Sequence, residues 1–132
     1  MKKIVTLLMV TAAIIGSFPS QAQQKAPWKE MEEFHTVMAA TFHPSEEGKL
    51  EPVKTRSQEM LDKAINWQKS TPPQGYDKNA VKSSLKKLVT GLKELNTLVK
   101  NNAADNVLKE KLSSLHDIFH EIMEKCEKED HM

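Results

Sequence analysis

Residues 108–126 read LKEKLSSLHDIFHEIMEKC. Leu108, Leu112, Leu115, Phe119, Ile122 and Cys126 recur at steps of 4, 3, 4, 3 and 4. That alternation follows the 3.6-residue turn of an α-helix and lines its apolar side chains along one face. A stripe of this kind cannot be buried by its own helix, so it calls for partners. The rest of the chain supplies them. Val81, Leu85, Leu88, Leu92, Leu95 and Val99 repeat the same steps. Trp28, Met31, His35, Met38 and Phe42 are spaced 3, 4, 3 and 4. Val53, Ser57, Met60, Ala64 and Trp67, flanked by Leu61 and Ile65, form a looser fourth stripe.

Punctuation between the stripes sets the expected ends. Pro27 suits a first helical turn, where its missing N–H has no partner to lose. Pro44 disfavours continuation and should end this helix at His43. Pro52 opens a second helix, closed by Pro72-Pro73-Gln74-Gly75. Asp77 N-caps a third, running to Lys100. Residues 101–106 are a polar break, and a fourth helix is expected over 107–128. The connection between His43 and Glu51 is expected to be the longest after the leader. Four stripes with short connections predict an all-α, antiparallel up-down four-helix bundle.

The first residues read as an address. Lys2 and Lys3 precede a nearly unbroken apolar run over residues 4–15, the length of a signal-peptide core. A spanning helix needs about 20 residues. Ser20-Gln21-Ala22 places small residues where a signal peptidase cuts, so residues 1–22 are expected to be a cleaved signal peptide and 23–132 the bundle domain. A periplasmic or secreted product follows, with no membrane insertion after cleavage. The 132-residue chain has 19 basic and 18 acidic residues, a formal net charge of +1. That balance excludes a strongly basic nucleic-acid binder. Its single Cys excludes an internal disulfide framework.

The chemistry is concentrated in histidines. His116 and His120 are four apart and stack on one face of the fourth helix, the spacing that presents two imidazoles to one metal ion. His35 occupies a seam position of the first helix where a large apolar residue is expected. A buried imidazole there needs hydrogen bonds or a metal. Matching the ends of the first and fourth helices puts His35 within a turn or two of the HxxxH pair. His43 lies about 12 Å along the axis from His35 at 1.5 Å per residue, so it is either a partner of the helix C-terminus or part of a shallower site. The functional reading is a metal site of His35, His116 and His120, with His43, Glu32, Met38, a carboxylate of the fourth helix or water as a further ligand. Imidazole-rich sites suit Zn, Cu or Ni. The competing reading makes these solvated surface histidines. Cys126 is a core residue, a soft ligand or an intermolecular disulfide former; packing is the commonest use of a free Cys.

Catalytic patterns are wanting. No Gly-rich phosphate loop or HExxH occurs, and the paired Glu-x-x-His of di-iron bundles occurs once, at Glu32 and His35. A non-catalytic role in metal buffering, sensing or resistance is therefore expected, and the protein is not expected to be an enzyme. An exported bundle of this size resembles the cytochrome c′ and cytochrome b562 group of periplasmic four-helix bundles. The Cys-x-x-Cys-His attachment of its c-type members is absent: residues 124–128 offer Cys126 with no following His. The resemblance implies, as an alternative, b-type haem for electron transfer, with Met31 and His120 at the two ligand positions. It departs from that group in His35 and His116. A third reading is an interaction or stress protein with incidental histidines.

Overall fold

A computed structural model describes residues 26–125. The proposed signal peptide, Cys126 and the tail with His131 lie outside the described residues. Four helices form a bundle: α1 Lys29–Glu46, α2 Glu51–Lys69, α3 Lys78–Lys100 and α4 Asp105–Lys125. There is no strand among the described residues. Each helix packs on the next in the chain, and α1 also meets α4, so the four close into a ring; the α1/α4 contact is the sparsest of the four. No helix among the described residues is long and apolar enough to cross a membrane.

Three of the stripes face inward, with Val99 at the end of the α3 stripe half-buried. Leu108, Leu112, Leu115, Phe119 and Ile122 are buried on α4; Val81, Leu85, Leu88, Leu92 and Leu95 on α3; Val53, Ser57, Met60, Leu61, Ala64 and Trp67 on α2. On α1 one position differs. His35 is exposed, and Phe34 is wholly buried in its place. Steps of 3 then 4 from Met31 through Phe34 to Met38 satisfy the helical period as well as 4 then 3 through His35. The choice falls to the side chain that gains more from leaving water. Burying a phenyl ring is worth roughly 1.5–3 kcal/mol, whereas a buried imidazole needs polar partners.

The α1 end also differs. The helix continues through Pro44 to Glu46. Proline removes one backbone donor and crowds the preceding turn, but this turn is held from inside. Ser45 is buried, and its hydroxyl donates to the Phe42 carbonyl at 2.6 Å. The Pro44 carbonyl then accepts from the amides of Glu47 (3.0 Å) and Lys49 (2.9 Å). Gly48, at φ +81°, reverses the chain in a conformation that favours glycine. The α1–α2 connection thus shrinks to residues 47–50, and the α2–α3 connection, residues 70–77, is longer. α4 starts two residues earlier than expected, at Asp105. Asp77 caps α3 as anticipated, its carboxylate accepting from the amides of Asn79 (3.0 Å) and Ala80 (3.1 Å).

Aromatic side chains fill the end of the bundle where α1 begins. Trp28 meets Trp67 edge-on at 5.7 Å and Tyr76 at 5.0 Å; Phe34 lies 5.5 Å from Trp67 and 5.6 Å from Phe119. The Trp28 indole N–H donates to Ser70 Oγ at 2.8 Å.

Candidate functional site

The sparse α1/α4 contact carries the histidines. His116 and His120 stand one turn apart on α4, and their Nε2 atoms are 3.2 Å from each other. The rings are nearly perpendicular, with centroids 4.4 Å apart. At this distance one Nε2–H donates and the other nitrogen accepts, the roles being set by the tautomers of the two rings. His120 Nδ1 lies 3.4 Å from Glu124 Oε1, one further turn along α4. A carboxylate behind an imidazole holds its Nδ1–H and turns the Nε2 lone pair outward.

His116 lies flat on Phe42 of α1, with centroids 3.8 Å apart and an interplanar angle of 7°. This contact partly shields the imidazole from water. Burial pushes its pKa below the ordinary histidine value of 6.5, helped by the neighbouring His120 and, less, by His43; Asp117 and Glu46 oppose the shift. His116 is therefore predominantly neutral at pH 7, the form that binds metals.

The α1 histidines flank this pair from the surface. His35 stacks on Phe119, the residue before His120, at 5.0 Å and 23°. His43 is exposed, with its ring 5.7 Å from that of Phe42. The structure thus brings His116 and His120 into contact and sets His35 and His43 beside them on aromatic neighbours. Among the described residues, no group of three or more His, Cys, Asp or Glu side chains converges on one ion position.

Two contributors escape the stripe reading. Glu124 was legible as the residue four after His120. Phe42 reads from the spacing as core only, and its second face, the platform under His116, depends on how α1 meets α4. Elsewhere, a groove of about 460 Å³ between α3 and α4 includes Lys86, Lys87, Gly91, Lys111 and Leu115 in its walls. It contains no histidine and lies apart from the pair. Comparison with known proteins finds no matching family, no similar curated protein and no similar solved structure.

Proposed function

We propose that the chain is an exported, antiparallel up-down bundle that binds a transition metal ion through His116 and His120, with His35 and His43 as outer histidines. Its role is non-catalytic: buffering, sensing or resistance. The observation that carries the metal reading is the 3.2 Å separation of the two Nε2 atoms. Two nitrogens bound to one ion at about 2.0–2.1 Å are about 3.3 Å apart in a tetrahedral sphere. In a square-planar sphere the same bonds bring neighbouring nitrogens to about 2.9 Å. The separation lies within a few tenths of an ångström of both and closer to tetrahedral zinc, and the pair can bind an ion once the Nε2–H of the donor ring has moved to its Nδ1.

An ion is also favoured over haem. Met31 and His120 would have to hold the porphyrin between them, yet Phe34, Trp67 and Phe119 are fully buried there and pack on one another. The Met31 sulfur already accepts a hydrogen bond from the Tyr76 hydroxyl at 3.8 Å. The up-down topology is supported by contacts between helix ends. Trp28, just before α1, bonds to Ser70, just after α2; Lys54, in the first turn of α2, pairs with Asp105, the first residue of α4, at 2.9 Å. Export rests on the cationic start, the short apolar run and the small residues up to Ala22. The intact mass of exported protein should begin at Gln23, and retention of residues 1–22 would overturn the export reading.

The metal test is thermal. A ligand that binds only the folded chain stabilises it by about 2.7 kcal/mol at a hundredfold excess over Kd, several degrees in Tm for a domain of this size. Zn²⁺ should give that rise at pH 7.5 and much less at pH 5.5, where protons compete for the imidazoles. Unchanged melting with Zn²⁺, Cu²⁺ and Ni²⁺ at both pH values would overturn the reading.

A further inference from the structure

A tetrahedral ion takes four ligands, and the His116–His120 chelate supplies two. The described residues offer no third ligand converging on the same point. His35 and His43 are exposed and rest against Phe119 and Phe42. The pair lies at the surface, where the His120 side chain keeps 42% of its area exposed. Ala39 and Ala40 are half-buried on α1, and Ser113 and Asp117 are exposed on α4.

We infer that zinc joins two copies of this chain, each donating Nε2 of its own His116 and His120 to one shared ion. The inference rests on the zinc reading above. Two such chelates related by a twofold axis, with their planes crossed, complete a tetrahedron, and a twofold contact uses the same patch on both molecules. Each copy also brings the carboxylates of Asp117 and Glu124 to this patch, with Glu46 close enough to act on His116. Without the ion these like charges face one another and hold the copies apart. The divalent cation between them offsets that repulsion. Association is therefore conditional on metal, and the free protein is a monomer by this route.

The test is the mass of the purified protein by light scattering or sedimentation during a zinc titration, with bound zinc counted by calorimetry. The expected result is a doubling of mass, saturating at one zinc per two chains and reversed by chelator. His116→Ala and His120→Ala, confirmed folded by circular dichroism, should stay monomeric with zinc, while Cys126→Ser should still dimerise. One zinc per chain on a monomer would overturn the dimer and leave the metal reading standing. No zinc bound at all would overturn both. A zinc-dependent dimer that survives the double His116→Ala/His120→Ala change, or is lost in Cys126→Ser, would place the bridge elsewhere and overturn this one.

Discussion

Between α2 and α3, the Ser57 hydroxyl donates to Asn96 Oδ1 at 2.9 Å, and the Asn96 amide donates to Gln58 at 2.8 Å. Ser57 and Asn96 are buried, and each finds its partner inside the protein. Between α1 and α4, polar rings also meet, but His116 and His120 answer mainly to each other and to Glu124 at the water's edge. The first arrangement gives each buried group a partner and ties two helices together. The second keeps lone pairs that can be turned to an outside ligand. A satisfied polar network specifies structure, and a partly satisfied one at an accessible edge is free for chemistry.

The largest effect should come from the residue that belongs to both the core and the histidine edge. Phe119 packs on Phe34 and Trp67 inside and carries His35 outside. Phe119→Ala should lower stability by about 3–5 kcal/mol in urea unfolding. A loss below about 1 kcal/mol would mean that the α1/α4 contact does not reach the core.

Next comes the direct contrast. Asn96→Ala strips the Ser57 hydroxyl of its acceptor in a buried place and should cost about 1–3 kcal/mol. His116→Ala, measured without metal, should cost less than about 1 kcal/mol, while removing most of the zinc-induced rise in Tm. Equal costs for the two substitutions would erase the distinction drawn between the two contacts.

A smaller effect should follow pH. The native pKa of His116 lies below that of the unfolded chain, about 6.5. The unfolded state therefore binds the proton first as pH falls. This contribution is fully present above about 6.5 and is lost as pH drops through the native value. Metal-free stability should decline below pH 6.5, and His116→Ala should flatten part of that decline. A decline unaltered by the substitution would assign it to other groups. The least change is expected at His43: His43→Ala should retain most of the zinc-induced rise. Abolition of the rise by His43→Ala would move the ion toward α1.

Much of this architecture was legible from residue spacing. Most of the stripes of α2, α3 and α4 are buried because their apolar positions lie on one face at 3.6 residues per turn; Ile65 and Val99 are half-buried. The Asp77 cap was legible because capping is local. On α1 the period admitted both Phe34 and His35 at the seam, and hydrophobicity decided for Phe34. Pro44 likewise looked like an end, since a local rule does not register the burial of Ser45 and Phe42 that holds the next turn.

The chain by itself determined four amphipathic helices, the capping of α3 at Asp77 and the HxxxH spacing of His116 and His120, because each follows from short-range geometry. Only the tertiary structure decided that His35 lies outside, that Phe42 lies flat under His116 at 3.8 Å and that burial lowers the His116 pKa. These depend on how α1 and α4 rotate against each other as the whole core is buried, and no single stretch of sequence encodes that rotation.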